Sequence, residues 1–535
     1  MKRRTFFKTT TLTGSAVVLT GMAACTTQQP VETAKPDFAT FDLNEITVDE
    51  LQQKMASGEI TAESICQKYL DRIALVDSVL KSVIEINPDA LQIARQLDEE
   101  RKTGKMRGPL HGIPVLIKDN IDTFDKTQTT AGSLALAGNI ANVDAFIVKK
   151  LRDAGAVLLG KTNLSEWANF RSTNSSSGWS GRGGQVRNPY FLDRSPCGSS
   201  SGTGAAVSAN LCAIGIGTET NGSIVCPSGI NGIVGIKPTL GLWSRRGIIP
   251  IAHSQDTAGP MTRTVKDAAV LLGALAAFDP TDAETHIEHG EIFSDYTQFL
   301  NAEGLAGKRI GVMAKLSGFN TKVDDLFKQA VDVLKAKGAE IVDELNFENL
   351  RKADELSYQV LLYEFKADLN KYLQEHPGAP LKSMAEIIEF NKKNSDREMP
   401  WFAQEIFELA QTKGDLNTEE YLKALADSKR FTGKEGIDAV MEKHNLDALI
   451  APTNGPAWTI DWVNCDNFNG GSSSPAAISG YPNITVPMGF VHGLPIGISF
   501  FGRAWSEPVL LSIAYAFEQA TKHRKVPEFR ESFLE

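Results

Sequence analysis

The chain has 535 residues with 55 Lys and Arg against 65 Asp and Glu, a formal charge of −10, which excludes a protein that grips nucleic acid through a cationic surface. At 42% hydrophobic and 22% charged residues it is not compositionally disordered, and it is long enough to bury a large core. Length by itself admits roughly two to four domains.

In chain order, residues 1–24 come first. Arg3-Arg4 and Phe6-Phe7 precede a short apolar run ending in small residues, which reads as a twin-arginine export signal removed from the mature protein. The run is too short to cross a bilayer core. Met22-Ala23-Ala24-Cys25 resembles a lipobox and makes Cys25 a candidate lipid anchor; the alternative is an ordinary cleaved signal in which Cys25 is incidental. Residues 25–44 are polar and Pro-bearing, as a tether would be. A single folded body is expected over residues 45–535, where no compositional break or repeat divides the chain. The expected location is the periplasm, either free or anchored to a membrane facing it. Cysteines stand at 25, 66, 197, 212, 226 and 465. No two share a Cys-x-x-Cys spacing, so a structural zinc site has no support. Twin-arginine export carries folded proteins and a chain of this length needs no disulfide scaffold, so reduced, buried thiols are expected.

Residues 46–77 and 89–105 carry helical periodicity, and the apolar runs 112–121 and 156–163 suit buried strands. Residues 309–315 precede a helix over 324–342, and 447–453, 483–490 and 494–502 supply late strands before a closing helix at 508–523. The alternation predicts an α/β fold. Residues 285–440 read as mostly helical and polar, a cover over part of the sheet.

Three short motifs point in different directions. Gly155-Ala-Val-Leu-Leu-Gly160-Lys161-Thr162 is a literal phosphate-loop pattern, but its middle residues are themselves the strand, so nucleotide binding is rejected. Gly198-Ser199-Ser200-Ser201-Gly202 matches the G-x-S-x-G of a nucleophile elbow, yet such a match arises cheaply in a Ser/Gly-rich stretch. The mechanism also needs a histidine, and His253, His444 and His492 have no supporting local signature. Ser78-Val-Leu-Lys81 spells S-x-x-K but lies within a helical pattern and lacks the companion motifs.

A larger set of segments remains: GIPVLIKDN at 112–120, SPCGSSSGTGAAVSA at 195–209, GTETNGSIVCPSGINGIVGIKPT at 217–239 and HSQDTAGPMTRTV at 253–265. Through these, and through later segments to the end of the chain, the sequence resembles the amidase signature hydrolases, and within them the bacterial peptide amidases. The resemblance implies one large domain with a central mixed β-sheet flanked by helices on both faces. It implies hydrolysis of carboxamides to acid and ammonia through a Ser-Ser-Lys triad, with no metal or cofactor. Carried over residue by residue, the triad falls on Lys118, Ser199 and Ser223, and the backbone N–H groups of Thr220, Asn221, Gly222 and Ser223 are the oxyanion candidates. In the family the middle serine follows a cis bond, here Gly198–Ser199.

The chemistry of the residues agrees with this assignment. A serine hydroxyl needs a base, and without a compelling histidine a neutral lysine can serve. Lys118 sits in the apolar strand PVLIK, where burial lowers its pKa, and alternation turns Asp119 to the opposite face. Ser200 and Ser201 read as the first residues of a helix that positions Ser199. Cys197 and Cys226 read as buried structural thiols. Many relatives carry Arg where this chain has Val225, which disfavours a free-acid substrate at that point. The substrates expected are C-terminal amides of peptides. Small aliphatic or aryl amides, or a non-catalytic or transamidating role, are the alternatives; the export signal and acidic surface weigh against a tRNA-linked role. Trp167, Phe170, Trp179, Trp458 and Trp462 could line a pocket or simply pack, and the irregular segment 453–475 is expected to border the active-site mouth.

Overall fold

The computed structural model describes residues 38, 40–285 and 292–534. The expected export signal, Cys25 and most of the tether lie outside the described residues. Packing starts ahead of the expected boundary at 45: the compact unit begins at Phe38, Leu43 is buried, and Phe41 meets Tyr69 with ring centroids 5.6 Å apart.

Thirteen strands are found among the described residues. They are β1 (Val83–Ile86), β2 (Pro114–Lys118), β3 (Val157–Thr162), β4 (Trp179–Ser180), β5 (Gly184–Gln185), β6 (Ile214–Glu219) and β7 (Val234–Lys237), followed by β8 (Thr257–Thr262), β9 (Arg309–Met313), β10 (Glu340–Leu345), β11 (Ala448–Pro452), β12 (Asn483–Val491) and β13 (Leu494–Phe501). Eleven form one sheet in the order β1-β3-β2-β6-β8-β7-β12-β13-β11-β9-β10, and β4 and β5 form a separate hairpin. The sheet is mixed, as expected. β2 runs parallel to β3 and β6, whereas β6–β8, β7–β8, β7–β12 and β12–β13 are antiparallel. Every residue of β2, β3, β6 and β7 is buried, so both faces are covered, and this is why the segments of β2 and β3 read as apolar runs.

Two sequence expectations are corrected by local chemistry. The periodicity over 46–77 is two helices, Val48–Ser57 and Ala62–Leu80. Gly58 ends the first in a left-handed conformation (φ 77°), and Thr61 caps the second by accepting from the Ser64 N–H. The helical cover over 285–440 also contains sheet: β9 and β10 pair in parallel at one edge, joined by the helix Thr321–Ala336. Residues 340–342, read as the end of that helix, belong to β10. Gly338, at φ 90°, stops the helix and returns the chain to the sheet.

The rest of the insertion is a cover. Helices Leu350–Glu375, Met384–Lys393 and Glu405–Gln411 share an apolar cluster with Trp167 and Phe170. Phe170 meets Phe365 edge-on at 5.2 Å and Trp167 meets Phe407 at 5.3 Å. This cluster ties the cover to the loop that follows β3.

Candidate functional site

The floor of the site comes from three places in the chain. Lys118 is the last residue of β2, Ser199 stands two residues before the helix Ser201–Ser208, and Ser223 lies in the turn between β6 and the helix Val225–Ile230. Because β2 and β6 are neighbours in parallel register, their C-terminal ends bring these segments together.

Lys118 is fully buried. Its Nζ lies 2.8 Å from Ser199 Oγ, 2.8 Å from Thr218 Oγ1 and 3.3 Å from Thr218 O. Burial pushes its pKa down to about 7, although Asp256 and Glu219 pull in the opposite direction. Asp119 points away, as alternation requires: it accepts from the Thr130 hydroxyl, from the Gly132 N–H at 3.3 Å and from Arg182 at 3.4 Å.

Ser199 is fully buried, while Ser223 is 8% exposed, so Ser223 is the serine that solvent can reach. The peptide bond Gly198–Ser199 is cis. Ser200 stands at the N-cap position of the helix Ser201–Ser208 without a side-chain capping bond; its hydroxyl donates to Thr218 O at 3.0 Å and accepts from the Thr218 N–H at 3.1 Å. The elbow motif's serine is thus spent on backbone. Gly202 meets the carbonyls of Ser82 and Asn163, each of which would lie 2.3 Å from an added Cβ, so glycine is required by close approach.

The turn 220–223 is built by residues that sequence reading missed. Glu219 accepts the N–H of Gly222 at 2.8 Å, of Ile224 at 2.8 Å and of Val225 at 3.0 Å, holding the turn that carries Ser223. Gly222 takes φ 83°, a conformation glycine adopts at no steric cost. With its N–H engaged by Glu219, Gly222 is removed from the four oxyanion candidates, and Thr220, Asn221 and Ser223 remain. Asp256 accepts from the Thr220 hydroxyl at 2.6 Å and from the N–H groups of Ile251 and Ala252; burial raises its pKa to about 6. The only sequence signal for Glu219 was an acidic residue inside an otherwise apolar strand end.

The thiol expectation is corrected at two of the six cysteines. Cys197 and Cys226 form a disulfide with Cα atoms 6.1 Å apart, joining the segment before Ser199 to the helix after Ser223. A sequence separation of 29 carries no spacing signature, and only the folding of both segments onto β6 brings the two together. Cys66 and Cys212 are free and buried as expected; burial raises the Cys212 thiol to about 12. Lys161, the lysine of the rejected phosphate-loop pattern, donates to Ile121 O, Gln128 O and Thr129 Oγ1 at 2.7, 3.0 and 2.9 Å.

A cleft of about 300 Å³ opens above Gly198, Asn221 and Gly222. Its opposite wall is drawn from the segment 453–475, including Trp458, Asp466, Phe468 and Ser473, in the place expected for that segment. Asn221 fastens wall to turn, accepting from Ser473 Oγ at 2.7 Å and donating to Ser474 Oγ at 3.2 Å. Of the five aromatic candidates only Trp458 lines this cleft. Trp462 stacks on Trp401 at 4.7 Å, Trp179 packs edge-on against Phe402 at 5.2 Å, and Trp167 and Phe170 pack against the cover helices. None of the three histidines lines the cleft; His253 is held by Asp368, 2.7 Å from its Nδ1.

A sequence profile of one family, described as Amidase, matches residues 64–511. Among curated relatives, a protein of Arabidopsis thaliana named as a probable amidase is 40% identical over 500 residues, covering 92% of this chain and 93% of its own. One chain of the glutamyl-tRNA(Gln) amidotransferase of Carboxydothermus hydrogenoformans is 33% identical over 497 residues, covering 91% of this chain and 99% of its own. Among solved structures, the native peptide amidase from Stenotrophomonas maltophilia superimposes with a TM-score of 0.88 at 50% identity, covering 92% of this chain and 100% of that one.

Proposed function

The chain belongs to the amidase signature family and is a hydrolase of amide C–N bonds, and from that premise we propose that it releases ammonia from carboxamides, C-terminal peptide amides first, through Lys118, Ser199 and Ser223. The observation that carries this reading is the buried Lys118 Nζ, 2.8 Å from Ser199 Oγ. Its contacts suit a neutral amine, which has two protons to donate to Thr218 and one lone pair for the Ser199 hydroxyl. A pKa of about 7 keeps a useful fraction of that amine neutral near pH 7.

Ser223 Oγ attacks the carbonyl carbon as its proton passes to Ser199, and the Ser199 proton passes to Lys118. The tetrahedral oxyanion is met by N–H donors from Thr220, Asn221 and Ser223, in a turn held still by Glu219. Collapse breaks the C–N bond, and the proton stored on Lys118 returns through Ser199 to the leaving ammonia. Water then repeats the relay on the acyl-enzyme, giving the acid and restoring Ser223. Peptide amides are favoured over small amides by the 50% identity to a peptide amidase and by an open cleft walled by Trp458 and Phe468.

We place the enzyme outside the cytoplasm, on the twin-arginine pattern of residues 1–24, with Cys25 as a lipid anchor; metabolic labelling with a radioactive fatty acid that is lost in Cys25→Ser tests this. Catalysis is tested by ammonia release from C-terminally amidated peptides, their free acids and simple amides. Turnover of peptide amides that vanishes in both Ser223→Ala and Lys118→Ala supports the reading. Activity surviving Ser223→Ala overturns the assignment of the nucleophile, and turnover of simple amides alone overturns the peptide preference.

A further inference from the structure

One ionisable side chain lines the cleft, and it is acidic. Among the residues around that space are Trp458, Asp466, Phe468 and Val225, with no Lys, Arg or His. Asp466 is half-buried and held in one orientation: Oδ1 accepts from Trp458 Nε1 at 2.8 Å, and both oxygens accept from the Ser177 N–H, at 3.2 and 3.0 Å. Trp458 and Phe468 meet edge-to-face at 5.6 Å, so the ring that donates to the carboxylate is itself packed against a second.

We propose that Asp466, on the cleft wall with Trp458 and Phe468, is a specificity-determining residue that binds a protonated amine on the acyl portion of the amide substrate. A carboxylate offers about four lone-pair positions, and Asp466 spends its oxygens on two donors, so capacity is left on the cleft side. An ammonium placed there meets a negative charge in a partly desolvated cleft that two aromatic side chains also line, where charge-assisted hydrogen bonds are strong. The same wall repels a carboxylate, in keeping with Val225 standing where a cation would have received one. Burial raises the Asp466 carboxyl pKa, and a bound cation opposes that shift by favouring the ionised form. The ammonium has two sources, the α-amine of a short amino-acid amide or the basic side chain of a longer peptide amide, and the test separates them.

The inference rests on the cleft being the substrate site proposed above, so binding is read apart from turnover. In a Ser223→Ala background, calorimetry compares phenylalaninamide with 3-phenylpropionamide, which lacks the α-ammonium, and N-acetyl-lysinamide with N-acetyl-norleucinamide, which lacks the side-chain ammonium. The cationic member of at least one pair binds about 10-fold tighter or more, the scale of a hydrogen bond to a charged group. Asp466→Asn, which keeps an acceptor for Ser177 and Trp458, closes that gap while leaving the neutral member unchanged. Equal binding within both pairs, a gap that survives Asp466→Asn, or equal weakening of both members by that change each overturns the inference. Turnover that persists in Ser223→Ala overturns the assignment of the nucleophile and leaves the binding comparison to decide Asp466.

Discussion

Two lysines occupy adjacent positions at the ends of β2 and β3, where the register pairs Ile117 with Lys161 and Lys118 with Thr162. Both are buried and both lose basicity through burial, yet their surroundings suit them to opposite work. Lys161 donates to two carbonyls and a threonine hydroxyl, with Asp119 and Asp122 near enough to favour its charge. Lys118 faces Thr218 and the Ser199 hydroxyl, a group that can hand it a proton. Burial by itself does not make a lysine a base. What matters is whether the groups in contact require the ammonium or tolerate the amine.

Replacing each lysine by Met separates the roles. Lys118→Met is expected to lower kcat by about 10³-fold or more, with a thermal midpoint no lower than that of the parent, because an apolar side chain replaces a costly buried amine. A fall in midpoint alongside the activity would make Lys118 structural and collapse the contrast. Lys161→Met is expected to do the reverse. It strands three oxygens and uncovers Asp119, a loss of about 3–5 kcal/mol by denaturant titration, while the folded fraction keeps kcat within a few-fold.

The disulfide tests whether the floor needs covalent bracing. Cys226→Ser is expected to cost about 3 kcal/mol by closing-loop entropy, and ammonia release should fall further than stability does if Cys197–Cys226 aligns the two serine segments. Equal activity in the folded Cys226→Ser protein would show that the hydrogen bonds of Glu219, Asp256 and Asn221 hold the turn without it.

The smallest effect is on pH. In the proposed relay the unprotonated Lys118 is the active form, so kcat/KM is expected to rise about 10-fold per unit below its pKa and to level off above about 7. Stability follows the same sign. The folded pKa of about 7 lies under the ordinary 10.5, so between them the unfolded chain binds more protons and this group's contribution to stability rises with pH. The deficit is full below about pH 7. In Lys118→Met the stability slope over that window is expected to flatten; an unchanged slope would mean that other groups, Lys237 among them, carry it.

Much of the frame was legible in the residues. Continuous apolar runs marked β2, β3, β11, β12 and β13 because those strands are covered on both faces, and GIPVLIKDN, GSSSG and TETNGS carried Lys118, Ser199 and Ser223 through resemblance. Gly58 with Thr61, and Gly338, were visible as helix punctuation but were overridden by the stronger periodicity around them. Asp466 lay in a segment whose position beside the site was read correctly, with nothing local to distinguish it from the neighbouring Asp461.

The sequence by itself determined the fold class, the family and the side chains that can supply a nucleophile and a base, since apolar periodicity and short motifs are local properties of the chain. Tertiary structure alone decided which buried lysine meets the Ser199 hydroxyl, that Glu219 takes the Gly222 N–H from the oxyanion candidates, that Cys197 finds Cys226, and that one carboxylate faces the cleft. Each of these is a distance between segments many residues apart. Such distances are set by strand order and register, because side chains at the ends of neighbouring strands become partners whatever their separation along the chain.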